Sequence, residues 1–539
     1  MPDPTVTGGA VLQPINLTSP AFLGLNTDSG AQILEPEWAT IANNAVFDAN
    51  NRLAARKGWE LQTTSAVSGT LMRIHEYVQA DGTVEVISST DSDIFSGVAT
   101  PSSIEGSLGI TEGNIKFVNF NDKCIGLGIG TSANPAVYTG TGNFTTVTVA
   151  SGTAPTGGIG TAAYGRLWVS NADGKTISYS ALLDETRWDP ADGGGTIDMS
   201  KVWVAGQDEI VAIAEFAGDL VIFGKNQIIV WTDGAGSTLG IDPDNLYISD
   251  SVTGLGAVSQ FGVTQVEGDL WFMAPNGVHS LLRARTERNT PTEPVTANVS
   301  DEYQGFLLAQ TDEDDLTMVY SPEEGFAVVC FPAADRQIII HGRAVQTQNG
   351  PVYRTTTWTS NLQTTAYRVS DRTLLGSLTA VDGSLYKHNL FADNGVSYTF
   401  AYESGWLDLG EQAAQFMKWV KKLTSVVLVG ESTTVTYTLK YDFNTLARST
   451  QVTATGSRSS EFNISEFTDS GAGIGYKDPT DISLGESEFS GGITLRTLPV
   501  PGKGGGQYIK VGVQLDTASG EFALQQINLF AKIGRIANV

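Results

Sequence analysis

The stretches FAGDLVIFGKNQIIVW at 216–231 and VEGDLWFMAPNGVHSLL at 266–282 repeat one pattern, in which a small polar turn separates two runs of mostly apolar residues. Gly218 and Gly268 stand at the turns, where a tight hairpin needs a backbone with positive φ. β-Branched and aromatic residues follow each turn, as they do in strands. Each stretch therefore predicts β-hairpins.

The same unit recurs along most of the chain, with turns spaced by 40 to 58 residues. The turns centre on Asp81-Gly82, Asn121-Asp122, Gly165, Gly218, Gly268, Gly325 and Asp382-Gly383. A period of about 40 to 50 residues with several strands per period is typical of β-propeller blades. Sixty glycines and only 17% charged residues also suit an all-β chain with many turns.

Composition divides the chain into three predicted parts. Residues 1–65 form an N-terminal arm and a lead-in strand, and residues 66–399 carry the repeats. Residues 400–539 alternate apolar and polar side chains, as in KWVKKLTSVVLV at 418–429, which predicts half-buried strands. A Gly- and Ser-rich loop at 451–506 interrupts this last part. We therefore predict an all-β fold: a β-propeller of six to seven blades followed by a C-terminal β-sandwich domain.

One segment is the best candidate for a helix. In PEWATIANNAVFDANN at 36–51, four apolar residues would line one helical face. They are Trp38, Ile41, Ala42 and Ala45. No segment is apolar enough, or long enough, to predict a membrane span, and the polar start of the chain predicts no secretory signal.

The net charge of −26 is distributed unevenly, because residues 400–539 contribute only −2. Such acidity argues against a protein that reads the sequence of nucleic acids, since phosphate contacts need many Lys and Arg side chains. Two interpretations of the acidity stay open. It keeps a large protein soluble, or it lines a conduit whose negative walls prevent a DNA duplex from sticking.

Residue types that carry catalysis are scarce. The four histidines, His75, His279, His341 and His388, stand singly without a second ligand at metal-binding spacing. The nucleophile elbow, the paired-histidine zinc motif and the phosphate-binding loop are absent from the sequence. Cys124 and Cys330 lie in strand-like runs, which predicts buried free thiols. We predict no catalytic residue, no cofactor and no metal ligand.

Two weaker chemical readings rest on acidic residues. The pairs Asp91 and Asp93, Asp242 and Asp244, and the run Asp312 to Asp315 offer oxygen ligands for calcium, although none completes a calcium loop with its bidentate glutamate. A glycosidase would need two carboxylates flanking one sugar bond. The nearest match to the sialidase-type Asp box, at 170–176, places its Asp one residue late and lacks the Trp.

Two basic clusters each allow two interpretations. Arg52, Arg56 and Lys57 form either a solvated turn or a docking surface for an acidic neighbour. Lys418, Lys421 and Lys422 either protect an exposed strand edge, which we favour, or meet an acidic partner.

Three parts of the chain carry a resemblance to a known family. The first is NNAVFDANNRLAARKGWE at 43–60, with Leu53, Arg56 and Gly58 in the order Leu-x-x-Arg-x-Gly. The second is the pair of runs at 210–234 and 256–282, and the third is the ending, with SGWLDLG at 404–410, KKLTSVVLVG at 421–430 and INLFAKIGR at 527–535. These segments resemble the tail nozzle proteins of short-tailed bacteriophages, the family that includes tail tubular protein B and the tail stabilisation proteins.

The resemblance implies a virion structural protein of a podovirus tail and not an enzyme. It implies a homohexameric ring, assembled in the host cytoplasm, that lies below the head-to-tail adaptor protein and forms the channel for DNA ejection. Double-stranded DNA would pass without sequence-specific binding, and tail fibres or a tail needle are further candidate partners. The family brings no catalytic residues. The loop at 451–506 departs from its pattern, so the role of that loop stays open.

The alternative function is a propeller that binds, or hydrolyses, glycans of a host surface. The long loops at 184–200, 232–245 and 285–300 would then carry recognition, because loops of this length often bind partners. Trp188 and Trp231 are the aromatic residues that we expect to be exposed for sugar contact.

Overall fold

The computed structural model describes residues 13–18, 20–129, 134–233, 242–286, 293–348, 350–379, 383–408, 416–455, 494–517 and 520–536. The chain forms two compact units. The propeller unit comprises Leu61–Arg343 and Thr359–His388. The sandwich unit comprises Met1–Glu60, Ala344–Trp358 and Asn389–Val539.

The propeller unit contains seven groups of antiparallel strands, called sheets 1 to 7 in chain order, of which the strands of sheet 6 are part of a ten-stranded sheet. Sheet 1 is Arg73–Val78, Val84–Ser89, Ile94–Ser96 and Ser102–Ser103, and sheet 2 is Lys116–Phe120, Lys123–Leu127, Ala136–Tyr138 and Thr145–Thr146. Sheet 3 is Gly160–Ala163, Arg166–Ser170, Thr176–Tyr179 and Gly195–Asp198, and sheet 4 is Ile210–Phe216, Asp219–Gly224, Gln227–Asp233 and Leu246–Thr253. Sheet 5 is Val263–Val266, Asp269–Ala274 and Gly277–Ser280. Sheet 6 is Thr317–Ser321, Phe326–Phe331 and Arg336–Thr347, and sheet 7 is Leu362–Arg368, Thr373–Leu378 and Tyr386–Asn389.

The first strands of these sheets form a closed ring. The first strand of each sheet packs against that of the next, and sheet 7 packs back on sheet 1. Between sheets 4 and 5 the short helix Gln260–Gly262, which leads into sheet 5, makes this contact. A closed ring of sheets is the arrangement of a β-propeller. The predicted β-propeller is therefore confirmed.

The predicted turns account for the first hairpins of most sheets. In sheets 2 to 5 the first hairpin has two turn residues, both with positive φ, as a type I′ turn requires. The pairs are Asn121 and Asp122, Tyr164 and Gly165, Ala217 and Gly218, and Glu267 and Gly268. The turn predicted at Asp382-Gly383 falls in the connection between Thr373–Leu378 and Tyr386–Asn389, which form the second hairpin of sheet 7, and its Asp382 lies outside the described residues. The first hairpin of this sheet turns between Arg368 and Thr373.

Helices are few and short. The α-helices are Leu281–Thr286 and Ser300–Leu308. The 3-10 helices are Pro190–Asp192, Met199–Lys201, Pro243–Asn245, Gln260–Gly262, Ala297–Val299, Glu313–Asp315 and Pro332–Ala334. Within the described ranges, no helix has the length and apolar character that a membrane span requires.

The sandwich unit contains two groups of paired strands. The first has the order Thr494–Pro501, Phe416–Val429, Phe522–Ile536, Leu53–Ala55 and Ala45–Phe47, with Gln13–Thr18 on Phe522–Ile536 and Gly505–Gly506 on Phe416–Val429. The second has the order Gly350–Trp358, Trp38–Asn43, Tyr398–Ser404, Ile509–Thr517, Thr433–Tyr441 and Arg448–Ala454, with Gly24–Leu25 on Trp38–Asn43. Phe400 and Phe522, one from each group, meet edge to face with ring centroids 5.3 Å apart. This contact joins the inner faces of a β-sandwich, as the sequence predicts.

The described strands of the N-terminal segment pair within the sandwich unit, where the sequence predicts an arm and a lead-in strand, and residues 1–12 of that arm lie outside the described residues. Gln13–Thr18 and Leu53–Ala55 both pair with Phe522–Ile536, and Trp38–Asn43 pairs with Tyr398–Ser404. The division between the units falls at residue 60, where the sequence suggested 65, and residues 389–399 also lie in the sandwich unit. Strand Gly58–Leu61 crosses the division along the chain.

The helix predicted at 36–51 is wrong, because this segment forms the strands Trp38–Asn43 and Ala45–Phe47. Asn44 separates the two strands with φ of 52°, a left-handed conformation that Asn tolerates and a helix does not. Ala42 pairs with Tyr402 of the neighbouring strand and is fully buried. Strand pairing within the sandwich thus outweighs the weak helical pattern.

Candidate functional site

The Leu-x-x-Arg-x-Gly motif organises the interior of the sandwich unit. Arg56 is fully buried. Its Nη1 and Nη2 donate to the two carboxylate oxygens of Asp393 at 2.8 and 2.5 Å, and its Nε donates to Oδ1 of Asn44 at 3.0 Å. The guanidinium carbon lies 4.0 Å from the ring centroid of Tyr398, whose hydroxyl donates to the Arg56 carbonyl. A bidentate pair with this many partners is the geometry that makes a buried arginine tolerable.

The other two motif residues are packing positions. Leu53 is fully buried and pairs with Phe47 and Leu524. At Gly58 an added Cβ would lie 2.1 Å from the carbonyl oxygen of Ala392. Only glycine fits at this position, because the obstructing atom belongs to the backbone.

The first basic cluster agrees in part with the interpretation as a turn, because Asp48 to Asn51 form a turn and a strand begins at Leu53. Arg56 is not part of a docking surface, and Nε of Arg52 lies 2.6 Å from Oδ2 of Asp48 in a local ion pair. Strand Phe416–Val429 lies between two paired strands, so its lysines do not protect an edge. Lys418 is buried, and its Nζ donates to the Gln507 carbonyl at 2.6 Å.

The aromatic residues expected to bind sugars are buried. Trp188 packs in a core cluster with residues of sheets 2 and 3, and its Nε1 donates to the Glu185 carbonyl at 2.9 Å. Trp231 lies in the third strand of sheet 4 and packs in another cluster. The expectation that they are exposed in loops is therefore wrong, because both side chains fill the propeller core.

The long loops are only partly described. Segment 184–200 contains the short helix Pro190–Asp192 and the last strand of sheet 3. Residues 234–241 and 287–292 of the other two loops lie outside the described residues, as do 456–493 of the loop predicted at 451–506. The ends of that last loop form strands Arg448–Ala454, Thr494–Pro501 and Gly505–Gly506.

The acidic clusters make local hydrogen bonds. Asp93 accepts from the Ile94 amide at 2.7 Å, and Asp242 accepts from the Asp244 amide at 3.1 Å at the start of a short helix. Across the described part of the chain, no group of three or more His, Cys, Asp or Glu residues is placed to hold a metal ion. Cys124 and Cys330 are buried free thiols, as predicted.

A cavity of about 300 Å³ lies on the axis of the propeller, among the first strands of sheets 1, 2, 5, 6 and 7. Its polar lining includes Arg73, His75, Lys116, Gln260, Thr317 and Thr364. Phe117, Phe261 and Met318 contribute apolar surface. The cavity has the size of a small-molecule site, and a DNA duplex does not fit in it.

Arg73 is buried beside this cavity and only partly paired. Its Nη1 donates to Oγ1 of Thr317 at 2.6 Å, and its guanidinium carbon lies 3.6 Å from the ring centroid of Phe261. Nε and Nη2 have no hydrogen-bond partner among the described residues. Burial lowers the pKa of Arg73 to about 10, and the nearby carboxylates of Asp314 and Asp315 act in the opposite direction.

The aspartates next to Arg73 are the run considered above for calcium. Asp314 accepts from the Ser259 hydroxyl at 3.1 Å, and Asp315 accepts from the Asn114 amide group at 3.0 Å. Burial raises the pKa of Asp314. The run therefore offsets part of the charge of Arg73.

Lys116 is the second cation of the cavity, and it has no counter-ion. Within the described residues, its ammonium makes neither a hydrogen bond nor an ion pair, and the ring centroid of Phe261 lies 5.6 Å from its Nζ. Burial lowers the pKa of Lys116 to about 8, and repulsion from Arg73 lowers it further. His75 adds no charge at neutral pH, because burial lowers its pKa to about 4. The cavity therefore holds positive charge that the surrounding residues compensate only in part.

No family model and no curated protein matches the chain. Among solved structures, an auxiliary nutrient binding protein from Bacteroides thetaiotaomicron is 10% identical, with a TM-score of 0.32 over 70% of this chain and 76% of that one. PorZ, of the type-IX secretion system of Porphyromonas gingivalis, is 14% identical, with a TM-score of 0.31 over 73% and 46%. Kluyveromyces marxianus Hsv2 is 9% identical, with a TM-score of 0.29 over 54% and 99%. Likenesses this low carry no argument about function.

Among the cavity residues, only His75 is singled out from the sequence, as a histidine without a second ligand. The repeat does contain a signal for the two cations, because Arg73 and Lys116 are each the first residue of the first strand in consecutive sheets. The pairing of Arg73 with Thr317 depends on ring closure and has no local signal.

Proposed function

We propose that the chain is a structural protein of a phage tail, a subunit of the nozzle ring below the head-to-tail adaptor that forms the channel for DNA ejection. The observation that carries this proposal is the resemblance of residues 43–60 to the family's opening pattern. The structure supports it with a reason for the pattern, since Leu53, Arg56 and Gly58 each hold the sandwich unit together. Proteins that share the architecture of this unit would need the same residues at these three positions.

The proposed assembly is a homohexamer in the virion tail, with the adaptor as its neighbour and tail fibres or a tail needle as further partners. Since the propeller cavity is too small for a duplex, DNA would pass between copies. The propeller unit contains 37 acidic and 16 basic residues, a net charge of −21. Acidic walls would let DNA slide without sequence-specific binding. No enzymatic step enters this function.

Electron microscopy of the purified full chain, alone and mixed with its adaptor, tests the proposal. We expect a sixfold ring with an open channel in at least one of the two preparations. A monomer in both preparations would contradict it. A gel-shift assay at low salt serves as a second test, with no retention of duplex DNA expected because repulsion is strongest there.

The alternative function is recognition or hydrolysis of host glycans. The two aromatic residues that we expected to contact a glycan are not available for it. Because Trp188 and Trp231 are buried, substituting either one would test packing and not sugar binding. A glycan array probed with the full chain separates the two functions. Selective binding by a chain that stays monomeric would favour the alternative.

A further inference from the structure

The axial cavity of the propeller presents a charge problem that the protein's own residues leave unsolved. Arg73 is 4% exposed, and its buried Nε and Nη2 have no hydrogen-bond partner among the described residues. Lys116 lines the same cavity, is only half-buried, and adds a second positive charge for which the described part of the chain provides no counter-ion. A buried donor without a partner costs free energy, and groups left incomplete in this way are found at ligand sites.

We propose that this cavity binds a small ligand carrying one oxyanion group, a carboxylate, phosphate or sulfate, with the Lys116 ammonium as its direct counter-ion and Arg73 as a second source of positive charge. The site goes beyond the nozzle function and does not depend on it. Its size sets the ligand class, because about 300 Å³ is at the small end of ligand pockets.

The remaining lining suits an oxyanion. Thr317 and Thr364 line the cavity, and their hydroxyls are hydrogen-bonded to each other at 3.3 Å. One hydroxyl donates in that bond, which leaves the proton of the other for an anionic oxygen. The ring centroid of Phe261 lies 3.6 Å from the Arg73 guanidinium carbon and 5.6 Å from Lys116 Nζ. The ring covers one face of the guanidinium, and a charge shielded from water attracts an anion more strongly.

The aspartates near the cavity do not serve as the counter-ion of Lys116. Asp312, Asp314 and Asp315 all raise the pKa of Arg73. None of them contributes to the pKa of Lys116. The site is therefore divided into a partly neutralised arginine and an unpaired lysine, and the lysine is the residue whose removal separates binding from structure.

Isothermal titration calorimetry of the full chain at pH 7, in Tris chloride, tests the proposal with three probes: sodium acetate, sodium phosphate and sodium sulfate. We expect at least one probe to bind with one site per chain. Lys116→Gln should weaken that binding at least tenfold, and Lys116→Arg should keep it within about threefold because the charge remains. The matched control is Lys201→Gln, which removes an exposed lysine paired with Asp198 and should leave binding unchanged.

The three probes also identify the oxyanion, since acetate reports on carboxylates while phosphate and sulfate report on tetrahedral anions. Binding that is equal in the wild type and in Lys116→Gln would show an adventitious ion only and overturn the proposal. Absence of binding by all three probes at millimolar concentration would overturn it too. If Lys116→Gln lowers the unfolding midpoint, Lys116→Arg decides, because a folded Arg variant without binding contradicts the proposed role of the charge.

Discussion

Each unit of this protein contains a cation in its interior or at its cavity, and the two cations differ in their partners: Arg56 is fully buried and fully paired, whereas Lys116 is half-buried and has no counter-ion among the described residues. In the sandwich unit, Arg56 has a bidentate carboxylate, an amide oxygen and an aromatic face as partners. In the propeller unit, Lys116 meets an aromatic ring and a second cation. A buried charge with every partner in place serves the fold, whereas a cation without a counter-ion is available to a ligand. The contrast separates the structural role of Arg56 from the ligand site that we propose at Lys116.

The largest change in the free energy of unfolding is expected when the ion pair between Arg56 and Asp393 is removed. Arg56→Met leaves the carboxylate of Asp393 without its partner and should lower the free energy of unfolding of the sandwich unit by about 3 to 5 kcal/mol. Chemical denaturation of the variant measures this loss. Arg56→Lys should recover only part of it, because an ammonium cannot make the bidentate contact. Wild-type stability in Arg56→Met would show that the pair contributes nothing net.

A smaller loss should follow from crowding the same region. Gly58→Ala places a methyl group 2.1 Å from the carbonyl oxygen of Ala392, and relieving such overlap typically costs about 1 to 3 kcal/mol. The midpoint of chemical unfolding measures the loss. Gly30→Ala is the matched control, since no atom lies within 4 Å of its added Cβ. Equal midpoints for the two variants would contradict the packing described at Gly58.

Removing the unpaired cation should raise the free energy of unfolding, whereas the two substitutions above lower it. Lys116→Met removes a charge that burial penalises, so at pH 7 we expect the propeller unit to gain on the order of 1 to 3 kcal/mol. The folded pKa of about 8 lies below the ordinary value of 10.5. Between these values the unfolded chain binds more protons than the folded chain, so this group makes wild-type stability rise with pH.

Unfolding experiments at pH 7 and pH 9.5 detect this dependence. The difference between Lys116→Met and the wild type should shrink as pH rises through about 8. His75, with its pKa at about 4, titrates outside this window, and Arg73, at about 10, titrates at its upper end. A destabilised Lys116→Met at pH 7 would mean that the ammonium has a partner.

The smallest effect is expected at a local pair that is only partly buried. Arg52→Gln removes the ion pair with Asp48, four residues away in the chain, and local pairs that water still reaches contribute about 0 to 1 kcal/mol. The same denaturation series measures it beside Arg56→Met. A loss of unfolding free energy as large as that of Arg56→Met would contradict the distinction between the buried pair of Arg56 and the local pair of Arg52.

The propeller was predictable because its signals are local. A two-residue hairpin turn requires positive φ at both positions, and Gly165, Gly218 and Gly268 mark such turns directly in the sequence. In sheet 7 the predicted glycine, Gly383, stands in the connection of the second hairpin and not of the first. There Gly383 has φ of 57°, and its added Cβ would lie 1.9 Å from the Val67 carbonyl oxygen. A glycine in the sequence indicates that a special backbone conformation is needed, but it does not indicate which turn needs it.

The sandwich was harder to predict because it is built from distant parts of the chain. Pairing of Gln13–Thr18 with Phe522–Ile536 joins segments about five hundred residues apart, and no local pattern announces it. The failed helix at 36–51 has the same cause, since partner strands decide its structure. Burial of Trp188 and Trp231 likewise depends on neighbouring sheets. Of the candidate site, the sequence shows the two cations, while the closed ring supplies their shared cavity.

The pKa of Lys116, measured by NMR on chain labelled at the lysine side chains and assigned with Lys116→Arg, tests the contrast between the two units most directly. In buffer without oxyanions we expect a pKa of about 8, and addition of the oxyanion that binds should raise it, because a counter-ion favours the charged form. A pKa near 10.5 in the free protein would contradict the account, since it would mean that the ammonium is already solvated or paired.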